Sequence, residues 1–298
     1  MKSSDFDFLL EQDLPRGALY VVATPIGNMG DITLRALHVL NLVDGIACED
    51  TRHSAMLLNQ FEIRKPLIAL HEHNEIEGAK ALIKNLQNQE RWAYISDAGT
   101  PGISDPGVKL VNEVTRAGFR VIPIPGASAI VAAVSVAGSS LAQSEGRFQF
   151  LGFLSTQTKE FDLALNLIAT SPLASIFYET PHRIEKTLLR LYETLSPDRL
   201  VFIARELSKK FEELVHIRAD AIPKWLENAN LKGEFVVIVS GCALVLGDFA
   251  NGEVSRLAKM LTPYLGSKEL SEILADYFQL SKKESYQIAL KAKPDKIK

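Results

Sequence analysis

The alternation of short apolar runs with amphipathic stretches constrains this chain more than any other feature. From Ala18 onward, runs of strand-forming residues are separated by segments of helical periodicity, the pattern of a largely parallel sheet flanked by helices. The first series occupies residues 19–23, 45–48, 67–70, 93–96 and 120–124; the second occupies 148–151, 174–178, 200–204, 213–217 and 234–240. The fold class is therefore α/β. An aperiodic stretch, 138–146, separates the two series. The expected organisation is an N-terminal extension (1–17), an α/β domain (18–140), a second α/β domain (141–246) and a helical region (247–298). Pro223 interrupts the segment between the last two runs and leaves room for one short helix near 224–228, so that pair is expected to be antiparallel and the second sheet mixed. Beyond Gly247 the pattern is helical alone: 254–261 ended by Pro263, 267–279 and 283–292, with Ser267 and Ser281 as N-caps. Such a unit has the size of a small helix-turn-helix, although three short helices of this kind are more often a packed tail.

Composition narrows the function classes. With 47% hydrophobic and 23% charged residues the chain is a folded globular protein. Its formal net charge of -3 argues against coating nucleic acid by charge alone. The last eighteen residues carry six lysines against Glu284 and Asp295, leaving -7 on residues 1–280. Two distant cysteines, Cys48 and Cys242, form neither a disulfide framework nor a zinc spacing, which suits a reducing cytoplasm. The acidic N-terminus has no signal-peptide pattern. The uncharged stretch 121–144 holds Pro123, Pro125 and Gly126, which leaves 127–137 as a buried helix too short to span a membrane.

In α/β sheets ligands sit beyond the carboxyl ends of strands, and here those positions are rich in special residues. After the first run comes "TPIGNMGDIT", with Asp31 or Thr33 capping the next helix. Glu49, Asp50, Thr51 and Arg52 follow the second, more charge than one cap requires. "HEHNE" follows the third; His71 and His73 lack a further ligand to complete a metal spacing, so a cleft-lining role is preferred. After the fourth, "SDAGTPGISDPG" fixes unusual backbone angles, and Asp105 with Pro106 reads as N-cap and first helical residue. The fifth ends in "PIPGASA". No dinucleotide fingerprint, nucleoside-triphosphate loop or ordinary methyltransferase glycine motif is present.

In this order, "ATPIGN", "EDTRHS", "HEHNE", "SDAGTPGISDPG", "PGASA", "FYETPHRI", "ARELSKKFEE" and "KGEFVVIV" resemble the ribosomal RNA methyltransferases of the tetrapyrrole methylase superfamily, over about residues 19–239. The resemblance implies a class III methyltransferase: two α/β/α domains with S-adenosylmethionine in the cleft between them, commonly as a cytoplasmic homodimer without membrane association. The implied reaction is 2'-O-methylation of a decoding-region cytidine in 16S ribosomal RNA, free or in the small ribosomal subunit. Carried over by position, the cofactor residues are Thr24, Pro25 and Gly27; Asp97, Ala98, Gly99, Ile103, Ser104 and Asp105; Gly126 and Ser128; Phe177 and Tyr178; and Gly233 and Glu234. Ile103 and Tyr178 would cover the adenine. The chain departs from the pattern in "GFLSTQTKE", where Ser155 replaces proline and Gln157 replaces lysine; Lys159 is the nearest compensating charge.

Methyl transfer to a ribose hydroxyl is an in-line displacement, so two substrates must be aligned and a proton removed. Glu49, Asp50 and Glu206 are the candidate bases or orienting groups, and Arg52 and Arg205 the candidate phosphate clamps, against a structural ion-pair network as the plainer reading. His182 is either substrate-orienting or structural. Two other activities stay open: methylation of a tetrapyrrole or small molecule, and non-catalytic RNA binding in ribosome assembly.

Overall fold

The computed structural model describes residues 12–71, 75–242, 248–278 and 280–292, and the chain forms two compact units divided after Cys242. The larger begins with β1 (Ala18–Val22), α1 (Leu34–Leu42), β2 (Gly45–Cys48), α2 (Thr51–Gln60), β3 (Leu67–Ala69), α3 (Glu75–Gln87), β4 (Arg91–Ile95), α4 (Val108–Arg116) and β5 (Arg120–Ile124). These strands form a parallel sheet in the order β3-β2-β4-β1-β5. Residues alternate faces along each strand. Tyr20, Val22, Ile46 and Ile95 pack with Val39, Leu40 and Leu58 of α1 and α2, whereas Leu19, Ala47 and Tyr94 pack with Leu82, Leu86, Leu110 and Val114 of α3 and α4. The connections leaving β1 and β4 run in opposite directions across the sheet, which opens a crevice at their carboxyl ends.

The chain continues through α5 (Ala129–Val136), α6 (Ser139–Ala142), β6 (Phe148–Phe153), α7 (Thr158–Thr170), β7 (Ala174–Glu179), α8 (Ile184–Thr194), β8 (Leu200–Arg205), β9 (Glu213–Arg218), α9 (Ile222–Leu226) and β10 (Phe235–Val239). This sheet has the order β6-β7-β10-β8-β9; β6 and β7 are parallel and the other pairs antiparallel. Phe177, Ile203 and Val237 pack with α7 and α8, while Ile176, Phe202 and Ile238 pack with Ile130 and Ala133 of α5. The second unit contains α10 (Asp248–Leu261), α11 (Ser267–Tyr277) and α12 (Lys282–Lys291), with a core of Val254, Ala258, Leu270, Leu274 and Ala289.

Several sequence expectations are corrected. The sheet is mixed, but β9 and β10 are not a pair: β10 inserts between β7 and β8, each pairing across all five of its residues. The one short helix expected near 224–228 is present as α9 and begins two residues earlier, with Pro223 in its first turn, where no N–H is needed. The apolar helix at 127–137 is not buried all round, since Val131 is 66% exposed. Ser267 is the first residue of α11, and the Glu269 carboxylate accepts from the Gly266 N–H before it. Asp105 does not cap α4. The N-cap is Gly107, whose φ of 122° needs glycine, and Glu75 supplies the missing acceptor from another helix, taking the N–H groups of Gly107 (2.9 Å) and Leu110 (3.0 Å). Thr33 and Ser281 cap α1 and α12 as expected. Among the described residues no helix is long and apolar enough to cross a membrane.

Candidate active site

The loops leaving β1 and β4 brace each other. Thr24 and Gly99 exchange two backbone hydrogen bonds (2.9 and 3.1 Å), and the buried Thr24 hydroxyl donates to the Ser96 carbonyl at 3.2 Å. Gly99 has a φ of 78°, and a Cβ there would lie 3.2 Å from Ile26 Cγ2. The Thr100 hydroxyl donates to the Ala127 carbonyl at 3.0 Å, which ties the loop to the segment entering α5. Pro25 is buried beneath this brace, and Gly126 lies so close to β1 that a Cβ would be 3.0 Å from that of Ala23.

Between these loops and the second sheet lies a cavity of about 330 Å³. One wall is Ile26, Ala98, Gly99, Thr100, Ile103, Ser104 and Asp105 with Ser128 and Ala129; the facing wall is Phe153, Tyr178–Pro181, Ala204, Leu207, Lys209 and 234–236. The Tyr178 ring is held edge-on by Phe150 and Phe153, at centroid distances of 5.0 and 5.4 Å. Its hydroxyl pKa is pushed up to about 12 by burial and by the Asp105 charge, partly offset by the Ile130 N–H.

The ionisable groups divide into paired and unpaired sets. Lys209 donates to Glu206 (2.9 Å) and to Glu234 (2.8 Å); burial favours its neutral form, but the two carboxylates outweigh burial and raise its pKa. Burial would raise the Glu206 pKa, but hydrogen bonds from Lys209 and the Glu234 N–H lower it. Arg205 is buried, donating to Glu213 (2.9 Å) and the Lys232 carbonyl (3.2 Å). Thus Arg205 and Glu206, both expected at the chemistry, are held in internal pairs. Asp50 caps α2, accepting from the Arg52 N–H at 2.8 Å, and this bond with the Arg52 side chain lowers its pKa. The Arg52 side chain is otherwise in solvent, 90% exposed. Glu49 and Asp105 behave oppositely. Burial raises Glu49, reinforced by Asp97 and Asp50 and opposed by His71. Burial likewise raises Asp105 to about 6, reinforced by Glu49 and Asp97.

Of the residues expected to hold a cofactor, Ala98, Gly99, Ile103, Ser104, Asp105, Ser128, Tyr178 and Glu234 line the cavity. Thr24, Pro25 and Gly126 support its loops. Asp97 lies outside the lining, its carboxylate 3.4 Å from the Asp50 N–H. Gly27 and Gly233 back the Lys209 and Glu206 side chains, each with a positive φ and no room for a Cβ. Phe177 is not brought to the cavity; its fully buried ring faces the α7 and α8 side of the sheet. His182 and His71 are exposed, His73 lies outside the described residues, and no metal-binding group of three or more His, Cys, Asp or Glu is gathered among the described residues.

Residues 18–223 match the model of the Tetrapyrrole (Corrin/Porphyrin) Methylases. The chain belongs to the tetrapyrrole methylase family. Its relatives within that family include "Ribosomal RNA small subunit methyltransferase I" of Pasteurella multocida, 42% identical over 92% of this chain and 97% of the relative, and the protein of that name from Escherichia coli O157:H7, 41% identical over 93% and 96%. Among solved structures the fold is similar to cobalt precorrin-4 methyltransferase (TM-score 0.55, 15% identity, 77% of this chain and 98% of that one) and to uroporphyrin-III-C-methyltransferase from Thermus thermophilus (0.52, 19%, 75% and 94%). In this methylase the departing segment has a local explanation: the Ser155 hydroxyl donates to Glu160 (2.6 Å) and accepts from the Gln157 N–H (3.2 Å), bonds that proline cannot make.

Sequence reasoning passed over Lys209, Glu75, Phe153 and Thr180. Lys209 and Thr180 stand inside "ARELSKKFEE" and "FYETPHRI", so those motifs were the available signal. Glu75 closes "HEHNE", but its partners are 32 and 35 positions away, so the motif carried no sign of its capping role.

Proposed function

We propose that this chain is an S-adenosylmethionine-dependent methyltransferase that methylates the ribose 2'-hydroxyl of a decoding-region cytidine in 16S ribosomal RNA. The observation that carries this reading is the near-full-length similarity to relatives named ribosomal RNA small subunit methyltransferase I. The cavity suits the cofactor. Its volume of about 330 Å³ lies in the range of small-molecule sites. Ile103, Phe153 and Tyr178 offer apolar surface to a flat ring, and the main chain at Ser104 and the Ser128 N–H offer hydrogen bonds to its polar edges. Asp105, with the Glu49 and Asp97 charges near it, provides negative potential for a cation. When bound, the cofactor supplies an electrophilic methyl group on a cationic sulfonium.

The protein's own task is alignment and proton removal. Lys209 holds Glu234 and Glu206 together, which keeps the start of β10 against the cavity. Arg52, extended into solvent from the first turn of α2, is the phosphate clamp of this reading, while Arg205 and Glu206 support the site from within. The protein is a cytoplasmic homodimer in this proposal. The deciding assay is transfer of labelled methyl groups to small ribosomal subunits from a strain lacking this gene: label at a ribose of 16S ribosomal RNA is expected, and its absence removes the RNA reading.

The basic C-terminal region is assigned to RNA contact. Lys282, Lys283 and Lys291 are exposed on α12; Lys293, Lys296 and Lys298 lie outside the described residues. Replacing the first three by glutamine is expected to weaken RNA binding about tenfold and to reduce the slope of log affinity against log salt by about 2. An unchanged slope in filter binding rejects the assignment.

A further inference from the structure

Among the described residues three carboxylates line the cavity, and two have partners. Glu179 accepts from the Thr180 N–H (2.8 Å) and the Thr187 hydroxyl (2.8 Å), with Arg183 3.5 Å away. Glu234 is bound by Lys209. Asp105 is different: half-buried on the cavity wall, it has no hydrogen bond and no ion pair among the described residues. Its electrostatic neighbours are Glu49 after β2 and Asp97 after β4; Tyr94 of β4 and Tyr178 of β7 face it as neutral phenols. The Tyr94 hydroxyl is fully buried without a partner among the described residues and senses the charges of Glu49, Glu75 and Asp105. Glu75 is occupied by the N-terminus of α4. A buried polar group without a partner is costly and marks a place built for something else.

We propose that Asp105 is the catalytic base of this chain. The inference rests on the RNA reading above. In the step, the O–H bond of the ribose hydroxyl breaks and its proton passes to the Asp105 carboxylate. The oxygen forms a bond to the methyl carbon of the sulfonium donor, whose C–S bond breaks with the electron pair left on sulfur, so the products are a methyl ether, a neutral thioether and a protonated Asp105. A carboxylate lining the cavity without a counter-cation is the strongest base available there. Its pKa of about 6 leaves it mostly ionised at neutral pH and about a hundredfold more basic than an ordinary aspartate.

The test is single-turnover methyl transfer to small subunits between pH 5 and 8, with S-adenosylhomocysteine binding by calorimetry alongside. The wild-type rate should rise up to about pH 6 and then level, because only ionised Asp105 accepts the proton. Asp105→Asn should lower the rate at least 100-fold and remove that rise, with S-adenosylhomocysteine affinity within about threefold, and Asp105→Glu should recover part of the rate. Glu49→Gln removes a neighbouring negative charge and should move the rise to lower pH. The proposal is overturned if Asp105→Asn keeps the wild-type rate, if it loses ligand affinity instead of rate, or if Glu49→Gln leaves the profile in place. Failure of the wild-type protein to label RNA is the separate failure of the reading beneath it.

Discussion

Gly99→Val is expected to abolish S-adenosylmethionine binding while leaving the protein folded. Gly99 holds a φ of 78°, which a β-branched residue resists, at a cost of about 1–3 kcal/mol. Its Cβ would also stand 3.2 Å from Ile26 Cγ2 and 3.7 Å from the Ala127 carbonyl, so two further methyl groups must displace the loop. That loop carries Ile103, Ser104 and Asp105 along the cavity wall and is paired with Thr24 across it. The strain falls on a ligand-facing turn rather than on either sheet. Calorimetry should show at least a hundredfold loss of affinity, with circular dichroism of the wild-type form. Normal binding by the folded variant would place the cofactor elsewhere.

Glu75→Ala should be among the most destabilising single substitutions. The side chain is 4% exposed, and one oxygen takes two N–H groups at the start of α4, a helix whose N-cap has no side chain. Truncation leaves both donors buried and unpaired and removes a negative charge from the positive end of the helix dipole, together about 3–5 kcal/mol. Glu75→Gln keeps an acceptor oxygen and should lose about 1–2 kcal/mol. Urea unfolding of the two variants measures the difference. A loss below about 1 kcal/mol for alanine would mean that the α4 terminus finds another acceptor.

The same residue shows where sequence reading stopped. Asp105-Pro106 carries the local signature of a helix start, and only Gly107 at positive φ with a carboxylate from α3 displaces it. Asp105 is thereby released from capping and left on the cavity wall. Arg205 and Glu206 stand at the end of β8, and the Lys209 and Glu213 side chains that pair with them lie three and eight positions on in the same motif; the sequence offers those partners but not the choice between an internal pair and a contact with substrate. Phe177 and Tyr178 were carried over together, and strand alternation puts them on opposite faces of β7, so that Tyr178 alone of the two lines the cavity.

What the sequence by itself determined is what depends on neighbours along the chain: the alternation of strands and helices, the mixed second sheet, the glycine- and proline-rich loops at strand ends, and a motif order that marks the family. Tertiary structure decided what depends on neighbours in space: the insertion of β10 between β7 and β8, the acceptor at the head of α4, and which carboxylates are paired and which is left bare. Periodicity and turn chemistry are short-range and can be read residue by residue. Burial and charge pairing are set by groups brought together from distant segments, and these set the acidity of Asp105.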